Sequence, residues 1–308
     1  MKAGFLKLHR WIALVFALPL VFVLGTALVL AFEPWVVVGA IVPGSLNSAK
    51  IQALLTEHDP GGQARGLVFR TYDKTLTIGG GRGTAGTVVD VTTGKVLPAP
   101  SALANIFITA RRIHERLAID AGWLVIASSV VMLVLAVLGI LLGLPRLQNS
   151  LSGWHKGMAW GLLPLIVLSP LTGLFLANGI TFASPPPAPA KAVPLGLPEA
   201  VRIVGDGHDL SAVIWIRPQG SRMLARLVED GEYRVYAVTR DGLAAMPRNW
   251  PRLWHEGNFA GGWSALMNVV TAAAMFGLLI TGPLIWLRRR LRNRSRRQQA
   301  PALASQRA

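Results

Sequence analysis

The chain has no cysteine. That excludes disulfides, a haem attached through C-x-x-C-H, a cysteine-held iron–sulfur cluster and a thiol nucleophile, so any redox chemistry needs a cofactor held by other ligands. Acidic residues are scarce as well: 15 Asp and Glu stand against 31 Lys and Arg in 308 residues. Charged residues make up only 15%, whereas 52% are hydrophobic and the mean hydropathy is +0.46. Such a balance describes a polytopic membrane protein better than a soluble domain. In a soluble chain a net charge of +16 would point to nucleic acid. Here much of the excess gathers in "RRRLRNRSRRQQ", directly after the last apolar run, so anionic lipid is the expected partner and nucleic acid is not.

Four apolar runs, near residues 10–32, 122–144, 157–178 and 263–287, reach the roughly 20 residues needed to cross a hydrocarbon core. The chain then divides into a cytoplasmic N-terminus with the first span (1–32), an outer segment (33–121), the second span (122–144) and a short loop (145–156). The third span (157–178), a proline-rich linker with a second outer segment (179–262), the fourth span (263–287) and a basic tail (288–308) complete it. Lys2, Lys7 and Arg10 precede the first span, Arg146 follows the second, and the basic tail follows the fourth. The positive-inside rule therefore puts both termini in the cytoplasm and both long polar segments outside. A cleaved signal peptide is the rival reading of the N-terminus. Its apolar stretch is too long and lacks a convincing A-x-A site, so an uncleaved span is expected.

The chain also repeats itself. His9 and His155 are each followed by a basic residue, by a proline about ten places on (Pro19, Pro164) and by a threonine 17 places on (Thr26, Thr172), beside Gly25 and Gly173. The second and fourth spans are announced by "RRIHERLAIDAGW" and "RLWHEGNFAGGW", in which a basic residue and His-Glu precede Gly-Trp. These echoes suggest two copies of span, outer segment, span in the same orientation, related by a pseudo-twofold axis along the membrane normal. Both outer segments have strand and turn character. "RTYDKTLTIGG" and "GTVVDVTTGKVL" alternate around a glycine-rich turn, with "TGK" as a second turn. "SAVIWIRP", "SRMLARLVED" and "EYRVYAVTRDGLAAM" are three strand-like runs, preceded by a short helix in "LPEAVRIV". "SPPPAPAKAVPLGLP" reads as an extended linker.

Two short patterns lead nowhere. "GRGTAG" (81–86) fits G-x-G-x-x-G, but the dinucleotide fingerprint needs a helix after it, and "TVVDV" reads as a strand, so a hairpin turn is expected. His114-Glu115 and His255-Glu256 lack the second histidine of H-E-x-x-H, which excludes a zincin. Of the six histidines, His58 and His208 read as solvated turn residues. The other four stand at span entrances, His9 and His155 at the inner face and His114 and His255 at the outer. Two axial imidazoles from facing helices can hold a haem iron in a four-helix bundle, with Met158, Met267 or Met275 as weaker ligands. Arg10, Lys156, Arg111, Arg112, Arg116 and Arg252 lie close to these histidines in sequence and could pair with haem propionates. Against this stands the plain reading that interfacial histidines and arginines sit among lipid headgroups, and a duplication would repeat an idle histidine too.

Taken together, "LHRWIALVFALPLVFVLGTALVLAF", "GTVVDVTTGKVL", the "WHKG…LPLIVLSPLTGLFLA" span and "LWHEGNFAGGWSALMNVVTAAAMFGLLITGPLIWLRRR" resemble the PepSY-associated transmembrane family of bacterial inner-membrane proteins, over nearly the whole chain. The resemblance implies a mainly α, membrane-embedded bundle of four transmembrane helices, made from a duplicated span–PepSY–span unit with two small periplasmic α+β or β segments. It implies a protein with two b-type haems, ligated by His9, His114, His155 and His255. Such a protein would pass electrons from a quinol or a cytoplasmic reductase to a ferric siderophore or another iron chelate. The outer segments here are short, and "YRVYAVTRDGLAAMP" carries only a weak PepSY pattern. Two other functions compete: a membrane-anchored PepSY module that binds or restrains a periplasmic partner without catalysis, and a transporter for iron or another solute. The lack of acidic residues within the spans argues against the transporter.

Overall fold

The structure is a computed structural model that describes residues 2–79, 86–145, 148–184 and 195–305. Its first half runs through α1 (Lys2–Val15), α2 (Ala17–Leu30), α3 (Glu33–Gly39), α4 (Ser48–His58), β1 (Gly66–Arg70), β2 (Thr75–Gly79), β3 (Thr87–Asp90), α5 (Ala102–Arg116) and α6 (Gly122–Leu141). The second half follows with α7 (Leu151–Gly161), α8 (Leu163–Ala177), α9 (Leu197–Gly207), β4 (Val213–Gln219), β5 (Arg222–Glu229), β6 (Glu232–Thr239), β7 (Gly242–Ala245), α10 (Trp250–Glu256) and α11 (Gly261–Ser305). Two compact units result: a helical unit of residues 1–29, 110–178 and 269–308, and a sheet unit of residues 30–109 and 179–268.

Two prolines coincide with breaks in the helical unit, whereas Pro170 and Pro283 lie within the continuous helices α8 and α11. Pro19 has no N–H to give the Val15 carbonyl, and the helix is interrupted at Phe16 between α1 and α2. Bonds from Phe16 N to Ile12 O (3.1 Å) and from Leu20 N to Phe16 O (3.0 Å) carry the chain through the break. Pro164 acts more strongly: α7 and α8 part at Leu162 and diverge by 65°. Ala17–Gly39, Gly122–Leu141 and Gly261–Ser295 are each long and apolar enough to cross a membrane, and α7 with α8 makes a fourth if the bent pair is one span. Packing within the unit is sparse. Leu24, Ile166 and Met275 form a small core with Met132, Leu162 and Phe276 against it, while Leu18, Trp123 and Leu144 are 69%, 69% and 82% exposed. Apolar side chains turned outward on this scale require hydrocarbon around them, because water would leave their surface uncompensated.

The sheet unit is built the opposite way, around a dry interior. All strand neighbours are antiparallel in the order β3-β2-β1-β4-β5-β6-β7. The two outer segments, which the sequence presents as separate, thus share one sheet through Leu67↔Ile216 and Val68↔Trp215. Each strand group alone would expose an edge of unpaired N–H and C=O groups, and the β1–β4 pairing removes one from each. α9 places Leu197, Ala200, Val201 and Val204 at helical spacing on one buried face. Together with Ile51, Leu54 and Leu55 of α4, that face packs on Leu67, Phe69, Leu76, Ile78, Ile216, Ala225 and Leu227. Gly205 permits the close approach of α9 to α4, since a Cβ there would lie 2.1 Å from Ser48 Oγ. The third strand-like run of the second segment divides into β6 and β7, and "LPEAVRIV" forms α9. Most of "GRGTAG" and the proline-rich linker lie outside the described residues. The strands on either side of "GRGTAG" pair antiparallel, Ile78↔Thr87, and the absence of a following helix excludes the dinucleotide fingerprint.

Candidate functional site

His155 lies on α7, where its Nδ1 is 2.7 Å from Thr281 Oγ1 of α11. The threonine hydroxyl donates to Gly277 O at 2.7 Å, so its oxygen accepts the His155 Nδ1–H and the imidazole lone pair falls on Nε2. Gly282 keeps the space beside the ring open: a Cβ there would meet His155 Cε1 at 3.7 Å. His9, on α1, sits next to the Leu135 carbonyl of α6, and its Nδ1 is buried with no hydrogen-bond partner. The two imidazoles are within electrostatic reach of one another. Both histidines belong to the helical unit. Beside them, Arg10 has a buried Nε without a partner and its guanidinium is 5.7 Å from the Trp11 ring centroid. Lys156 is exposed.

His114 belongs to the last turn of α5 and faces α2. Its Nδ1 is 3.1 Å from Val23 O and 3.4 Å from Thr26 Oγ1, whose own hydroxyl donates to Phe22 O at 2.6 Å. Both oxygens are acceptors toward the ring, which again places the proton on Nδ1 and the lone pair on Nε2. Thr26 is thus one of the two threonines repeated 17 places after a histidine, and its imidazole partner is His114 rather than His9. The chain then turns into α6 through Leu117, Ala118 and Asp120, all in the left-handed region (φ 53°, 60° and 53°), where each non-glycine residue costs about 1 kcal/mol or more. Arg111 and Arg112 are exposed, and Arg116 pairs with Asp120 at 3.3 Å.

In the sheet unit, His255 lies in the last turn of α10. Asn249 caps this helix through Arg252 N (3.1 Å), and Gly257 terminates it with φ +66°, a site where a Cβ would come within 2.7 Å of Asn268 Cβ. Asn268 donates to the His255 carbonyl at 3.3 Å. Glu256 is an anchor rather than a metalloprotease base. It accepts from Arg226 of β5 (2.7 Å), Arg252 (2.8 Å) and Asn258 (2.7 Å). Arg252 is thus already in an ion pair, and α10 is tied to the sheet at the residue next to His255. His58 and His208 are not solvated turn residues. His58 Nε2 bonds Gly94 O at 2.9 Å, and His208 Nε2 meets Glu229 at 2.7 Å. Tyr236 donates to the same carboxylate, and burial together with that negative neighbour pushes its phenol above the ordinary value.

Among the described residues no group of three or more His, Cys, Asp or Glu could hold a metal ion, so a bare-cation site is not what the histidines form. Imidazoles whose Nδ1–H is fixed by a carbonyl or hydroxyl oxygen do fit axial ligation, since that second hydrogen bond sets the tautomer and the ring plane. Of the residues that supply it, Val23 and Thr281 carry no sequence signal, and Thr26 carries only its repeat 17 places after His9. Thr281 lies 126 positions from His155. Met158 and Met275 pack inside the helical unit, Met158 Cε being 3.2 Å from a Cβ built at Gly277.

Several apolar helices, an outward apolar surface and a small antiparallel sheet define a mainly helical, multi-pass membrane protein. The family described as PepSY-associated TM region matches residues 6–289, nearly the whole chain, and the protein belongs to it. Comparison with curated proteins gives no match.

Proposed function

We propose that the protein is an inner-membrane electron conduit that holds two b-type haems and delivers electrons to a ferric chelate on the outer side. The observation that carries this reading is the state of the imidazoles. His155 and His114 are held as Nδ1–H tautomers by Thr281 and by Val23 with Thr26, and His9 presents a buried, unpartnered Nδ1. His9 and His155 would hold the inner haem, and His114 and His255 the outer one. When bound, haem supplies one-electron transfer, which no side chain of a cysteine-free chain provides.

The chain's own residues orient ligands and exclude water. Thr281 and Thr26 direct imidazole lone pairs away from the helices that carry the threonines. Gly282 leaves room at His155, and Arg10 offers an unpaired Nε to a propionate. A quinol or a cytoplasmic reductase would be the donor. Reduction would loosen iron from hard oxygen ligands, which hold iron(III) more strongly than iron(II). Both termini would be cytoplasmic, with the arginines from Arg288 to Arg294 on the continuing α11 helix set against anionic lipid. The histidine echo and the paired proline breaks support a duplicated span–PepSY–span origin.

Single substitutions test the assignment. His9→Ala or His155→Ala should remove one haem, and His114→Ala or His255→Ala the other, as read by haem-to-protein ratio in purified, folded variants. Unchanged haem content in all four would defeat it.

A further inference from the structure

One face of the sheet gathers most of its strand arginines, while Arg234 of β6 lies on the other face and pairs with Glu232 at 3.2 Å. Register places Arg70 of β1, Arg217 of β4 and both Arg222 and Arg226 of β5 on the face opposite the α4–α9 core, along with Val68, Trp215 and Leu224. Glu229 and Glu232, opposite one another in β5 and β6, share the core-side face. Among the described strand residues Asp90 is the carboxylate on the arginine face, on edge strand β3, and its Oδ1 is taken by the amides of Thr92 (2.7 Å) and Thr93 (2.8 Å).

Two of these arginines are deeply placed. The side chains of Arg70 and Arg226 are 15% and 11% exposed. Each has one carboxylate neighbour, Asp73 3.5 Å from Arg70 Nε and Glu256 2.7 Å from Arg226 Nη2, and each keeps one further buried donor with no acceptor, Arg70 Nη2 and Arg226 Nε. Thr77 Oγ1, on the same face, is also buried and unpartnered. Buried guanidinium N–H groups left without acceptors cost several kcal/mol unless a ligand or water supplies them. Trp215 stands between the two arginines in register, with Arg217 stacked 4.3 Å from its ring centroid, and Arg226 lies 4.8 Å from that of Tyr233.

We propose that this arginine face docks the iron chelate and selects chelates whose free groups are carboxylates. The proposal rests on the ferric-chelate reading above and narrows its substrate class. Guanidinium forks match carboxylates two bonds at a time, which a neutral or cationic chelate does not exploit. Arg70 and Arg226 rise from strands two apart, about 10 Å, so the ligand carries at least two carboxylates and sits over Trp215.

The test is calorimetric titration of the purified full chain in detergent with gallium(III) citrate, a redox-inactive stand-in for the ferric chelate, beside a cationic gallium trihydroxamate as control. The expected result is binding of the citrate complex that weakens as salt is raised, with little binding of the control. Arg70→Gln and Arg226→Gln should each weaken citrate binding about tenfold or more while leaving the haem-to-protein ratio unchanged. Because Arg226→Gln also frees Glu256 and risks misfolding, Arg70→Gln and Trp215→Leu decide the matter if that variant unfolds. Wild type that does not bind gallium citrate, folded variants that bind it as wild type does, or equal binding of the cationic control would overturn the proposal. So would loss of haem with citrate affinity intact, which would make these arginines propionate partners. A wild-type chain that binds gallium citrate but carries no haem would leave the docking face standing and remove the electron-transfer reading.

Discussion

The helical unit and the sheet unit bury polar groups by different rules. In the helical unit hydroxyls fold back on their own helices: Ser128 to Leu124 O, Ser129 to Val125 O, Thr172 to Leu168 O, Thr281 to Gly277 O. The sheet unit instead builds charge networks, with Glu256 between Arg226 and Arg252 and Glu232 between Arg234 and Arg248. Hydrocarbon leaves no water to share a charge with, so polar atoms there must be satisfied within the helix or at a neighbour. A domain in water can hold ion pairs wherever several partners converge. In the helical unit His114 and His155 meet this rule at a neighbouring helix, whereas His9 Nδ1 and Arg10 Nε are buried without a partner, and departures from a solvent rule are where function is to be sought.

Substitutions can break or sharpen this contrast. The largest effect is expected from His155→Ala, which should abolish one haem and leave the unfolding of the sheet unit unchanged, as followed by optical spectra and protease resistance. Collapse of the sheet unit as well would contradict this expectation. Next, Gly205→Val should destabilise the sheet unit by about 2–4 kcal/mol, because its Cβ would overlap Ser48 Oγ, with haem retained by His9 and His155. Thermal unfolding monitored in parallel at the haem and at the tryptophans would read the two responses apart.

Thr281→Val should weaken haem retention at His155 by about 10–100-fold, with Thr281→Ser restoring it, since only the hydroxyl fixes the tautomer. Haem transfer to an acceptor globin would measure it. The smallest effect concerns pH. Burial pushes the Glu232 carboxyl up, but bonds and charges from Arg248 and Arg234 outweigh it and hold it below its ordinary value. A depressed carboxylate contributes stability that is complete above the unfolded value of about 4.3 and is lost as pH falls through the lower folded value. Acid unfolding of the sheet unit should therefore be less steep in Glu232→Gln, with no change in haem spectra above pH 5.

Much of the helical unit can be read from hydropathy and proline alone. Runs of some 20 apolar residues have one stable outcome in lipid, and Pro19 and Pro164 mark the two breaks. The histidines could be nominated from their repetition, but not their orientation, because Val23, Thr26 and Thr281 reach them from helices far away in sequence. The sheet was legible strand by strand and illegible as a whole. Nothing in "GLVFR" or "VIWIRP" announces that β1 pairs with β4, since strand pairing over 140 residues is a tertiary choice made by shared burial. α4 and α5 were legible in part: their buried apolar positions, Ile51, Leu54, Leu55 and Ala104, Phe107, Ala110, recur at the three- and four-residue spacing of a helix face, and only what that face packs against is a tertiary matter. His-Glu was legible only as a pattern. That Glu256 clamps α10 to β5 depends on Arg226, 30 positions away.

The central claim is that the four span-entrance histidines hold two haems. A dithionite-reduced minus oxidised optical spectrum of the purified full chain, taken with its haem-to-protein ratio, tests it most directly. The account predicts Soret and α bands of bis-imidazole b-type haem at about two haems per chain. A folded preparation from haem-replete cells that shows no such bands would contradict it.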